Sequence, residues 1–191
     1  MTSAASSITN KGDVEAKGGD VTMDTKTDLG NQGAVTASQS VGLNPEAAWP
    51  TKAMWKPRWD VTMDAKTDLR NQGAVMGGQS VGLTSGQSMT NDKAVTAGQD
   101  LTMDAGTTLT NGGGLTATDG SIELTAQKGL RQNGNATAGS SITMDNQQDG
   151  ALVVTGDVQS GTAATIRNKN GSITIGSEDQ KGMVKAGTRW L

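Results

Sequence analysis

A near-exact duplication limits what this chain can fold into. Residues 20–43 read DVTMDTKTDLGNQGAVTASQSVGL and residues 60–83 read DVTMDAKTDLRNQGAVMGGQSVGL; they match at 19 of 24 positions, 40 residues apart. A finer period of about 20 lies inside that spacing. Asn10, Asn31, Asn71, Asn91 and Asn111 recur at steps of 21, 40, 20 and 20. An apolar residue stands two positions before each: Ile8, Leu29, Leu69, Met89 and Leu109. Another stands four positions after: Val14, Val35, Val75, Val95 and Leu115. An apolar pair completes the unit, as in Val21/Met23, Val41/Leu43, Val81/Leu83, Leu101/Met103 and Ile122/Leu124.

Within these pairs the apolar residues lie two positions apart, the spacing of a strand with one face turned inward. Helical spacing of three and four is not sustained. Gly, Asn, Asp and Ser gather between the pairs, where turns are needed. Each unit therefore offers three short strands, and no unit can bury its inward side chains alone. Stacking one unit on the next buries them and pairs the backbone as well. The expected fold is all-β, a right-handed parallel β-helix of about nine coils of about 20 residues. At roughly 4.8 Å per coil it would be about 43 Å long. The whole of residues 1–191 reads as one array.

Composition agrees with a narrow interior. Tyr, Phe, His and Cys are absent, and Trp occurs only four times. The apolar supply is Val, Leu, Ile, Met and Ala, which fit inside a small coil. The absence of His and Cys removes the usual ligands of a transition-metal site, thiol chemistry and disulfides. A net charge of −3 gives no electrostatic footprint for nucleic acid or an anionic membrane. No apolar run is long enough to span a bilayer. Residues 1–10 lack the charged and apolar regions of a signal peptide. Neither Ile8 nor the closing Trp190–Leu191 is preceded or followed by a polar cap, so the chain is expected to be a fragment of a longer array.

The recurring Asn, at positions 10, 31, 71, 91 and 111, is expected to form a side-chain ladder at a turn, bonding up and down the stack. Asp24, Asp64, Asp104 and Asp145 follow the Met of VTM-like strands and are expected to form an outward acidic row. A solvated face explains that row better than calcium does, because the Gly-Gly-x-Gly-x-Asp nonapeptide is missing. Glycosidic cleavage needs two carboxylates in one cleft, and here the acids recur at the repeat spacing with no long loop to wall a cleft. The chain is accordingly not expected to be an enzyme, and no cofactor is expected.

Residues 44–59 form an aberrant coil. They hold all three prolines and three tryptophans, Trp49, Trp55 and Trp59. An exposed aromatic patch that binds sugar is one reading. The segment, however, has the length of one unit, since Val41 and Val61 are 20 apart. Back-translated and shifted by one nucleotide, residues 45–59 can spell SGSSLADKGDVEAK, close to SAASSITNKGDVEAK at residues 3–17. The Val and Glu of that string are forced by Met54, Trp55 and Lys56. Two compensating frameshifts in a once-normal unit explain the segment better than selection for ligand contacts. Residues 146–164 form a second irregular coil, although Leu152 to Val154 reads as a strand.

The stretches Leu69-x-Asn71-x-Gly73-x-Val75 and Leu109-x-Asn111-x-Gly113-x-Leu115-x-Ala117, each followed by a Val/Ile-x-Met/Leu strand, resemble the repeats of filamentous haemagglutinin-type exoproteins. These are large bacterial adhesins exported by two-partner secretion. The resemblance covers most of residues 8–145 and, more weakly, 166–175. It implies an adhesive stalk that is secreted or held at the cell surface as part of a larger exoprotein. The implied partners are a host-cell or neighbouring-cell surface and the outer-membrane transporter of the parent protein. Related rods carry toxins in contact-dependent inhibition. The alternatives are a polysaccharide-binding or -cleaving β-helix, and a decayed gene fragment without a role. Sequencing the gene tests the frameshift reading: the shifted frame across codons 45–59 should spell a repeat-like unit, and codons that spell none rule it out.

Overall fold

Alternation of buried and exposed residues organises the strands between Val61 and Ser160. In the computed structural model, residues 2–5, 8–11, 14–17, 19–25, 29–31, 35–37, 40–45, 49–51, 60–176 and 183–187 are described. All regular structure among them is β-strand. Along Val61–Ala65 the odd residues are buried and the even ones exposed, and Leu69–Asn71 and Val75–Gly77 alternate in the same way. Three such strands and the turns between them make one coil.

The strands stack coil on coil into parallel sheets. The first sheet has nine strands, from Thr2–Ala5 to Ala164–Asn170, and the second has nine, from Ile8–Asn10 to Ile173–Ile175. The third runs over six strands from Val75–Gly77 to Val184–Ala186, with Val14–Ala16 and Val35–Ala37 paired separately. The fold is thus the expected parallel β-solenoid. About six turns carry all three faces in unbroken succession, against the nine coils expected. The third-face position of the intervening coil falls within 52–59, outside the described residues.

Stacking converts the repeat into columns of like side chains. Val61 pairs with Val81, Val81 with Leu101, Leu101 with Ile122 and Ile122 with Ile142. The next inward column alternates Met63, Leu83, Met103, Leu124 and Met144, because the closer duplication is two units long. All of these side chains are buried in one continuous core. A Leu or Val so enclosed contributes about 1.5–3 kcal/mol of transfer free energy. The backbone is paired by the same translation: Val61 N donates to Ser80 O at 2.9 Å and Gly86 N donates to Ala65 O at 2.8 Å. Asp60 Oδ1 accepts the amide of Ser80 at 2.9 Å, and Asp100 Oδ1 accepts that of Ser121 at 2.9 Å, so these acids fasten one turn to the next.

The two irregular segments behave differently from one another. In residues 44–59, Trp49–Thr51 keeps the strand register, with Trp49 opposite Leu69 and Thr51 opposite Asn71. Residues 146–164 absorb two extra residues. Leu130 pairs with Leu152 and Ala136 with Val158, each 22 apart. The surplus is taken up where the strand Ile142–Asp149 shifts register between Asn146 and Asp149. Gly150 adopts φ +128° beside that shift, a conformation that L side chains rarely adopt.

Close stacking at the corners also dictates glycine. A Cβ on Gly106 would collide with the carbonyl of Gly86 in the preceding coil, whereas one on Gly82 would meet nothing within 4 Å. Gly106→Ala is therefore expected to destabilise by about 2 kcal/mol, and Gly82→Ala to be neutral or slightly stabilising. Urea melts followed by circular dichroism should separate the two; equal midpoints would refute the steric account.

Candidate functional site

The feature with the most definite chemistry is a row of buried amides along the inside of the second sheet. Asn71, Asn91 and Asn111 each end a strand of that sheet, so the alternation that buries Leu69, Met89 and Leu109 also turns the Asn inward. Each is fully buried, as is Gln132 above them. A buried primary amide is costly unless both its ends are bonded. Here each bonds to the coil above. Asn71 Nδ2 donates to Asn91 Oδ1 at 2.6 Å, Asn91 Nδ2 to Asn111 Oδ1 at 2.6 Å, and Asn111 Nδ2 to Gln132 Oε1 at 3.0 Å.

The second amide proton is used locally. Asn71 donates to Gly73 O at 2.7 Å, Asn91 to Lys93 O at 2.6 Å, Asn111 to Gly113 O at 2.7 Å and Gln132 to Gly134 O at 2.8 Å. Each of the three Asn thus holds the turn that follows it and the coil above it at once, and Gln132 closes the row on its own turn. Asn10 and Asn31 lie opposite one another on the same face, and Asn31 is opposite Thr51. Their side chains lie outside the described residues.

The amide system has three further members, Gln132, Asn146 and Asn168, beyond the Asn that recur at the repeat spacing. Gln132 stands in the Asn column, one methylene longer, after a coil of 21 residues. The column then ends at Val154. A second ladder starts on the neighbouring corner, where Asn146 Nδ2 donates to Asn168 Oδ1 at 2.9 Å. Asn168, which follows Ile166 as the earlier Asn follow Leu, belongs to the first sheet and not to the second. Below Asn146 stands Ala126, which has no donor, and Asn146 Oδ1 is left buried without a partner. A signal for all three existed: an amide-bearing residue two positions after an inward apolar residue, rather than Asn alone.

The outward face is polar. Asp64, Asp104 and Asp145 do not sit on consecutive coils. Thr84 separates Asp64 from Asp104, and Thr125 separates Asp104 from Asp145. Carboxylates two coils apart are about 9.6 Å from one another along the stack. Among the described residues, no group of three or more acidic side chains is placed to share a cation. Arg70 pairs with Asp92 at 3.3 Å on the exposed surface, a contact of little energetic weight. An open cavity of about 800 Å³ lies at the far end, lined by Gln127, Asp145, Gln147, Arg167, Lys169 and Ile173 among others. Trp49 lies on a strand of the second face, its side chain outside the described residues; Trp55 and Trp59 lie outside them altogether.

No protein-family model matches the chain, and no curated protein or solved structure does either.

The arrangement binds coil to coil, and its chemistry is structural. Asn91→Ala removes one rung and leaves Asn71 Nδ2 and Asn111 Oδ1 without their partner. The expected loss is about 2–4 kcal/mol of unfolding free energy. An Asn91→Ala chain that melts at the wild-type denaturant midpoint would show that the ladder carries no stability.

Proposed function

We propose that this chain is a rigid stalk segment of a secreted or surface-exposed bacterial exoprotein of the filamentous haemagglutinin type, with an adhesive and not a catalytic role. The observation that carries the reading is the run of about six unbroken solenoid turns, whose apolar columns and amide ladder are internal. Its outward positions hold short polar side chains such as Thr62, Asp64, Thr102, Asp104 and Thr143, on strands joined by tight turns. Such a body is suited to separating two things by a fixed distance, because each coil adds one strand spacing of about 4.8 Å. The repeat pattern Leu69-x-Asn71-x-Gly73-x-Val75 supports the haemagglutinin-type reading in particular.

In this role the partner is the surface of a host or neighbouring cell, reached by repeated shallow contacts along the rod and not by one pocket. Weak contacts multiplied along a stiff body give avidity without a deep site. Export would depend on the outer-membrane transporter of the parent protein. A chain without cysteine suits passage in an unfolded state, since no disulfide can lock it beforehand.

Beads coated with the purified chain test the adhesive part. Saturable attachment to cells is expected, lost when the chain is unfolded and unchanged in the Trp49→Ala, Trp55→Ala, Trp59→Ala triple variant. Attachment that disappears in the triple variant would replace the stalk reading with a sugar-binding loop. No attachment at all would leave the spacer role without the adhesive one.

A further inference from the structure

Three asparagines stand directly before glycine, at 111–112, 133–134 and 170–171. In such a pair the next backbone nitrogen can attack the asparagine side chain readily, since glycine puts no side chain in the way. The fold treats the three pairs differently. Asn111 and Asn170 each end a strand, Thr108–Asn111 and Ala164–Asn170, whose extended backbone keeps the following nitrogen away from the side-chain carbon. Asn111 is also buried and fully bonded. Its Nδ2 donates to Gly113 O and Gln132 Oε1, its Oδ1 accepts from Asn91, and Gly112 N donates to Asn91 O at 2.8 Å. Asn133, by contrast, is exposed in the turn between the strands Gly129–Gln132 and Ala136–Ala138. Among the described residues its carboxamide makes one bond: Thr155 Oγ1 donates to Asn133 Oδ1 at 3.1 Å. That bond draws electron density from the side-chain carbon and leaves Nδ2 unheld. Gly134 N makes only a long bond, 3.3 Å, to Asn111 O, which already accepts Asn133 N at 2.8 Å.

We propose that Asn133 is a site of spontaneous deamidation, and that the buried ladder protects Asn111 from the same reaction. The Gly134 nitrogen bonds to Cγ of Asn133 and gives up its proton, and the side-chain nitrogen leaves as ammonia. Water then opens the cyclic imide at either carbonyl, to aspartate or to isoaspartate. The net change is one water consumed and one ammonia released. Either product puts a carboxylate on the outer surface. Isoaspartate also adds one atom to the main chain between residues 133 and 134. That turn has no slack. Gln132 Nε2 donates to Gly134 O at 2.8 Å, Asp157 N donates to Asn135 Oδ1 at 3.0 Å, and a Cβ on Gly134 would collide with Gly113 O in the coil below. The longer turn therefore disturbs the bond with which Gln132 closes the amide row. Chemical ageing at an exposed position loosens the interior ladder.

Incubation of the full chain at body temperature in mildly alkaline buffer, followed by peptide mapping in a mass spectrometer, tests this. In the folded chain Asn133 should convert to the acid roughly tenfold or more faster than Asn111, whose reaction must first break several hydrogen bonds. In concentrated urea the two pairs should convert at similar rates, which assigns the difference to the fold. The denaturant midpoint of the folded chain should fall in step with the isoaspartate fraction. Asn133→Gln should hold its midpoint over the same period. Asn133→Asp, which adds the charge without the extra main-chain atom, should start at the wild-type midpoint. An Asn133 that survives in the folded chain while reacting in urea, or an Asn111 that keeps pace with it, overturns the proposed site. An unchanged midpoint at high conversion overturns its link to the ladder.

Discussion

Equal spacing between stacked coils is the condition on which this structure depends. A side chain is buried here only if the residue one coil away occupies the same column. A slip of one residue in a strand would turn every inward side chain of that strand outward. The hydrophobic columns oppose such a slip, but they do so with side chains that substitute for one another. Met63, Leu83, Met103 and Leu124 share a column without difficulty. Apolar burial alone thus holds the coils together more firmly than it holds them in place.

The buried amides supply the missing specificity. Asn71, Asn91, Asn111 and Gln132 are bonded only when each sits directly under the next, and a shifted coil would leave donors and acceptors unpaired in the core. The penalty for that error exceeds the gain from any single correct bond. The carboxylates of Asp60 and Asp100 act in the same sense at another corner, since each reaches a particular amide of the following coil. Where the first ladder ends beneath Val154, Asn146 and Asn168 begin another one corner away. An amide ladder is therefore present on both sides of the place where the coil lengthens to 22 residues.

The sequence made the fold legible because columns are repeats seen end-on. The pairs Val21/Met23 and Val41/Leu43, 20 residues apart, state both strand period and coil length. The Asn column could be read as far as Asn111 because the residue name persists. It became illegible at Gln132, where chemistry persists and the name changes after a 21-residue step. Residues 146–164 looked irregular because two added residues displace Leu152 and Val158 from the expected phase, although both remain buried. The acids at 64, 104 and 145 suggested a row because the duplication at 40 residues hid the threonines at 84 and 125 between them. In each case the error came from reading residue identity where the structure preserves position.

A solenoid held largely from within leaves the outward positions of its strands with few structural duties. Thr62, Asp64, Thr102 and Asp104 can vary with small effect on stability, which lets such a rod change what it displays without changing its shape. The same design leaves the length unspecified. Nothing in the translation from one coil to the next says where to stop, and each added coil moves the bare face along without removing it. The interior rule that makes the stack regular is also what leaves its length open.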